Sequence, residues 1–164
     1  MKRVYLITDG ACIGNPGPGG WAYILRYMHR TKEMFGCEER TTNNRMELRA
    51  VIEGLRALKE HCEVVVVTDS QYVKNGVTEW LPHWKVSGWR KKTKGKDGSK
   101  TVLNQDLWRE LDEIARQHTI SWEWVKGHAR HTENIRCDQL ALTAARQQVF
   151  SSGDEPGAYS AHHG

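Results

Sequence analysis

Four consecutive valines, Val64 to Val67, constrain the fold more than any other stretch of this chain. A β-branched run without polar alternation suits a strand covered on both faces, not one with a face in water. Such a strand needs helices packed above and below its sheet. The preceding residues supply one such layer. Leu48, Val51, Ile52, Leu55 and Leu58 recur at helical spacing, directly after Thr42, Asn43 and Asn44, which are residue types that cap helix starts. The pattern predicts a helix from about Thr41 to Glu60-His61.

Elsewhere the periodicity predicts a buried strand over 3–8 ending at Asp9, a Gly/Pro-rich turn over 10–20, and strands over 21–27 and about 32–40. Three consecutive strands suggest an antiparallel meander. After Thr68-Asp69 come short helices over 70–75 and around 78–82, then an exposed loop in Lys-Gly-Lys-Asp-Gly-Ser-Lys (94–100). A helix capped by Asn104 carries Leu107, Trp108, Leu111 and Ile114. Ile120, Trp122 and Trp124 alternate in a strand over 119–126. A loop over 127–132 leads to a last helix over about 136–149, opened by Glu133 or Asn134. The expectation is a mixed α/β sheet with helices on its faces, one domain over 1–150, and a flexible tail over 151–164.

Composition removes several classes. With 38% hydrophobic and 27% charged residues, wholesale disorder is excluded. No apolar run approaches the roughly 18 residues of a membrane helix. The short apolar stretch after Lys2-Arg3 does not make a signal peptide, so a cytoplasmic protein is expected. Cys12, Cys37, Cys62 and Cys137 are scattered without zinc-site spacing. They read as thiols, three of them packed as small apolar residues, with disulfides as the alternative. The net charge is +4, and the stretch from Lys85 to Lys100 adds Arg90, Lys91, Lys92, Lys94 and Lys96 against the single acid Asp97. Such a block serves equally as a solvated face or as a nucleic-acid surface.

Two apolar strands end in the same dipeptide, Thr8-Asp9 and Thr68-Asp69, and ligands of α/β sheets gather beyond strand ends. Glu47 and Asp138 fall near the starts of two helices. Each acid has an ordinary structural role open to it, as a cap or a first-turn partner of the helix dipole. Together they would repel unless a hard divalent cation joined them, and an all-oxygen site suits magnesium or manganese. Two ions could drive in-line phosphoryl displacement. His128, beside Gly127 after a strand, could exchange protons with water or leaving group, or be a solvated loop histidine. Asn15, Thr42, Asn43, Asn44 and Gln71 adjoin the acids and could read sugar edges and 2′-hydroxyls. Trp80, Trp84 and Trp89 interleave with the basic block. They offer aromatic surface beside phosphate contacts, or core packing, the reading favoured for Trp84 and Trp89.

Five ordered segments carry a family resemblance: 8–20 (Thr-Asp-Gly-Ala-Cys-Ile-Gly-Asn-Pro-Gly-Pro-Gly-Gly), 41–48 (Thr-Thr-Asn-Asn-Arg-Met-Glu-Leu), 68–73, 124–128 (Trp-Val-Lys-Gly-His) and 133–141. Across residues 3–149 the chain resembles the type 1 ribonucleases H of the bacterial single-domain form. The resemblance implies a ribonuclease H-like fold, a five-stranded mixed sheet with its first three strands antiparallel. It implies endonucleolytic cleavage of the RNA strand of RNA–DNA hybrids by two Mg2+ ions (Mn2+ substituting), leaving 3′-hydroxyl and 5′-phosphate ends, by a monomer. Asp9, Glu47, Asp69 and Asp138 match the metal-binding carboxylates, and His128 the mobile catalytic histidine. Asn15, Asn43, Asn44 and Gln71 match RNA-backbone contacts, and Arg40 and Thr42 a DNA-phosphate pocket. Residues 80–100, with Trp80, Lys85, Trp89, Lys91 and Lys92, look like the basic protrusion that holds the hybrid. No added N-terminal hybrid-binding module is expected before Arg3.

Three positions depart from the family pattern: Arg130, Thr132 and Ile135 stand where a small residue, proline and an acid are common. Ile135 removes a charge one helical turn before Asp138 and Arg130 adds a positive one beside His128, so a shifted metal dependence or product release is expected. Two rival readings are a non-catalytic hybrid-binding module and a DNA-directed nuclease of the wider superfamily. The complete set of acids with His128 weighs against the first. The 41–47 block and the basic protrusion weigh against the second.

Overall fold

A computed structural model describes residues 1–92, 99–126 and 132–151, with backbone alone at 90–92, 99–101 and 148–151. Strands β1 (Arg3–Cys12), β2 (Gly17–Tyr27) and β3 (Arg30–Thr41) form the antiparallel meander, followed by helix α1 (Asn43–Arg56) and strand β4 (Glu63–Thr68). Helix α2 (Gln71–Asn75), a π-helical turn (Gly76–Trp80) and helix α3 (Leu81–Ser87) follow in one uninterrupted run. A small hairpin of β5 (Arg90–Lys92) and β6 (Ser99–Thr101) leads to α4 (Gln105–Ala115), β7 (Thr119–Trp124) and α5 (Thr132–Ser151). The main sheet has the order β3-β2-β1-β4-β7, with β4 parallel to both β1 and β7. The five-stranded mixed sheet agrees with expectation.

The valine run works as its composition requires. Val64 and Val66 point into a core shared with Leu48, Val51, Ile52 and Leu55 of α1 and with Trp108 and Leu111 of α4. Val65 and Val67 point to the opposite face, against Ile7, Ile24, Cys137 and Ala141. That second layer is α5, whose buried side is built from small residues. Gly20 of β2 allows the close approach, because a Cβ there would overlap the Ala141 carbonyl and the Ala144 side chain. Each valine side chain removed from water contributes roughly 1.5–3 kcal/mol.

Several boundaries differ from the sequence reading. β1 does not stop at Asp9: its antiparallel ladder with β2 continues through Asp9↔Ala22 to Cys12↔Gly19. The parallel ladder with β4 ends at Ile7↔Val67, so Asp9 still lies beyond the end of the parallel pair. α1 stops at Arg56, four residues early, where the Ala57 N–H turns back to the Glu53 and Gly54 carbonyls. The two expected short helices are one continuous run through the π-helical turn, with Pro82 in the first turn of α3. Of the loop expected over 94–100, Ser99 and Lys100 belong to β6 and pair with β5, and residues 94–98 lie outside the described residues. Asn104 precedes α4 but makes no side-chain cap; its backbone is left-handed (φ 60°), and its amide bridges Arg45 and Tyr72. Two cysteines are buried, Cys62 and Cys137, where three were expected, and none of the four is in a disulfide. Residues 152–164 of the expected tail lie outside the described residues.

Candidate active site

Three of the four acids converge, from β1, α1 and the end of β4. Asp9 is 6% exposed in β1, and its Oδ1 accepts the Gly10 N–H at 2.9 Å. Glu47 is 5% exposed in the second turn of α1. That helix starts where the Thr42 hydroxyl accepts the Arg45 N–H at 3.3 Å. Asp69 follows the last residue of β4 directly. Asp9, Glu47 and Asp69 each offer an oxygen lying within 4.8 Å of the other two. Asp138, on α5, stands outside this triad, yet its charge is felt at Asp9. Cys137 pins that turn of α5 to the sheet, its thiol donating to the Ala22 and Ile7 carbonyls at 3.3 and 3.6 Å.

Burial and mutual repulsion shape the electrostatics. Asp9 is pushed up to about 7, first by desolvation and then by the charges of Asp69 and Asp138, with the Gly10 N–H acting in the opposite direction. Glu47 is raised well above the carboxylate range by burial first, then by Asp9 and Asp69. Burial and the surrounding carboxylates push the Cys137 thiol up as well, so it remains a protonated donor. Glu47 Oε2 is buried with no hydrogen-bond partner. A lone carboxylate oxygen in this position is costly by itself. The donor set, all oxygen and crowded with negative charge, fits a hard divalent cation.

The remaining sequence-level candidates distribute unevenly. The Asn15 side-chain oxygen accepts the Asn43 N–H at 2.9 Å, tying the β1–β2 turn to the start of α1. Asn43, Arg40 and Gln71 are exposed and Asn44 is half-buried. Thr42 is committed to capping, and the Gln71 amide donates to Asn75 at 3.0 Å. Trp80, Trp84 and Trp89 form a tilted ladder with centroids 5.8 and 6.4 Å apart, and only Trp84 is fully buried. Arg109 lies over the Trp89 ring at 5.0 Å. The Lys85 amine is engaged at 3.1 Å by Asp112 of α4. Lys91 and Lys92 lie in β5, where the backbone alone is described; His128 and Arg130 lie outside the described residues. Lys74 and Lys126, which the sequence reading did not single out, line a cleft beside Asp69. Only the register Thr68↔Trp124 brings them together.

Comparison with known proteins accords with this geometry. The family model described as RNase H matches residues 1–146. A "Ribonuclease H" from Solibacter usitatus (strain Ellin6076) is 60% identical over 151 residues, covering 92% of this chain and all of the relative. Among solved structures, LC9-RNase H1, "a type 1 RNase H with the type 2 active-site motif", is 34% identical with a TM-score of 0.78, over 90% of this chain and 74% of that one. LC11-RNase H1, solved in complex with RNA/DNA hybrid, shares the fold at 20% identity and a TM-score of 0.65, over 89% and 99% of the two chains. The chain belongs to the ribonuclease H family, as a bacterial type 1 member, and is a hybrid-specific endoribonuclease.

Proposed function

We propose that the protein hydrolyses the RNA strand of RNA–DNA hybrids at a centre in which Asp9, Glu47, Asp69 and Asp138 hold two divalent cations. Magnesium is the expected ion and manganese its substitute. The observation that carries this reading is the buried, unpartnered Glu47 Oε2 within a triad of carboxylate oxygens lying inside 4.8 Å. Without a cation, the hydrogen-bonded pair Asp9–Glu47 retains a proton near neutral pH. A divalent ion can take the place of that proton. When bound, such ions supply Lewis-acid activation of water and charge stabilisation at the leaving oxygen.

The residues of the chain do the rest. Asp9 and Asp69 sit just past the parallel strands and fix the centre against a rigid sheet. Glu47 closes it from α1, and Asp138 adds charge from α5. His128 is proposed to handle the proton passing to the leaving group, giving 3′-hydroxyl and 5′-phosphate ends. Asn15, Asn43, Asn44 and Gln71 are proposed to meet the RNA backbone, and Arg40 and Thr42 a DNA phosphate. Trp80, Lys85, Trp89, Lys91 and Lys92 are proposed to hold the hybrid along the basic protrusion. The same reading takes residues 1–150 as the catalytic unit, working as a monomer in the cytoplasm.

Labelled hybrid, duplex DNA and duplex RNA incubated separately with the protein and magnesium test this function. Cleavage confined to the RNA strand of the hybrid, with 5′-phosphate products, is expected. Cleavage of duplex DNA, or hybrid binding without any cleavage, contradicts it.

A further inference from the structure

A cleft of about 340 Å3 opens directly against Asp69, lined also by Ser70, Gln71, Lys74, Trp124 and Lys126. One wall is the start of the helical run after β4, and the other is the exit of β7. The Val125 N–H donates to the Thr68 carbonyl at 3.0 Å, so the two walls are fixed by backbone. The Trp124 ring is held in place by stacking on Trp122, with centroids 5.4 Å apart and planes within 9°.

Two lysines line this cleft, and among the described residues neither Lys74 nor Lys126 has an ion-pair partner. Two other polar groups of the wall already have partners. The Ser70 hydroxyl accepts the Val73 N–H, and the Gln71 amide donates to Asn75. A pair of like charges gathered in one cleft favours an anion between them, and lysine serves phosphate as a point charge. The neighbouring Asp69 belongs to the carboxylate cluster, so an anion here lies next along the strand whose phosphodiester meets that cluster.

We propose that this cleft is a subsite for the nucleotide flanking the cleaved bond of the RNA strand, with Lys74 and Lys126 gripping its phosphate. The proposal rests on the reading of the carboxylates as the cleavage centre. It explains why two lysines without an ion-pair partner among the described residues line a cleft that adjoins a centre otherwise made of acids.

The test is hybrid binding in EDTA, measured over a range of salt concentrations, with the full-length chain. The double variant Lys74→Gln/Lys126→Gln is compared with Lys32→Gln/Lys59→Gln, which removes the same charge from a different cavity. The cleft variant is expected to bind about fivefold more weakly at 0.1 M salt, with its log–log salt slope shallower by about one. The control is expected to stay within about twofold of the wild type, with its slope kept. Lys74→Arg/Lys126→Arg is expected to restore binding. Equal weakening in both Gln double variants, or an unchanged slope in the cleft variant, overturns the subsite. Because binding is read without metal, absence of cleavage in magnesium would overturn the functional reading independently of this result.

Discussion

Glu47 rests directly on Gly10, the neighbour of Asp9: a Cβ at Gly10 would fall 2.5 Å from the Glu47 backbone nitrogen. The spacing of two acids that approach from different elements is therefore set by a missing side chain. Gly10→Ala must push α1 outward and open the carboxylate triad. A loss of about 1–3 kcal/mol in stability is expected from the overlap. Activity should fall at least tenfold at low magnesium and recover partly at high magnesium. Urea unfolding and a magnesium titration check both; unaltered magnesium dependence would mean that this contact does not set the site.

Ile135 is 47% exposed on α5, one turn before Asp138. An exposed isoleucine contributes little to packing, so its replacement is structurally inexpensive. Ile135→Glu restores a negative charge on the helix face that carries Asp138. The magnesium concentration for half-maximal rate should shift by a few-fold while the unfolding midpoint stays put. Identical magnesium curves for the two proteins would rule out an electrostatic role for position 135.

His118 contributes a pH dependence of its own. It is buried, and its Nδ1 accepts the Cys62 N–H at 3.1 Å, which requires an unprotonated nitrogen there. Burial first, and the nearby His61 second, hold it below its ordinary value of 6.5, against a smaller opposing effect of a hydrogen bond to Leu55. The unfolded chain therefore takes up this proton more readily than the folded one. The contribution is fully present above about pH 6.5 and is lost as pH falls through the window between the unfolded and the lowered folded values. Between pH 7.5 and pH 5 the urea midpoint of the wild type should drop relative to that of His118→Asn, in which the Asp9 and Glu47 contributions are the same. Parallel curves would show that His118 does not couple folding to protons.

Much of this arrangement was legible from residue order. The valine run specified a doubly covered strand, and the stripe from Leu48 to Leu55 specified the helix that covers it. The residue types of Asp9, Glu47, Asp69 and Asp138 were visible, but not their distances, which depend on the β1–β4 register and on glycines at contact points. The glycine-rich stretch after Pro16 read as turn because it lacks side chains, yet that lack is what lets β2 pair with β1 past Asp9 and lets α5 lie on Gly20. The expected short helices stop just before Gly76 and at about Pro82. The chain passes both, one within a π-helical turn and the other at the start of α3. Lys74 and Lys126 stood 52 positions apart, and only the β4–β7 pairing makes them neighbours.

The most direct measurement is cleavage of labelled hybrid by Asp9→Asn, alongside its hybrid affinity in the absence of metal. Asparagine keeps the shape and removes the charge. The rate in magnesium should fall by more than about a hundredfold, beyond the 10–100-fold typical of changes to groups that only orient metal ligands. Hybrid affinity in EDTA should be equal to or tighter than that of the wild type, because a repelling charge is gone. The metal-free variant should also melt higher at pH 8, where the wild-type Asp9, raised to about 7, is ionised at a cost to the fold. Near-normal cleavage by Asp9→Asn would contradict the assignment of these carboxylates as the metal-dependent centre.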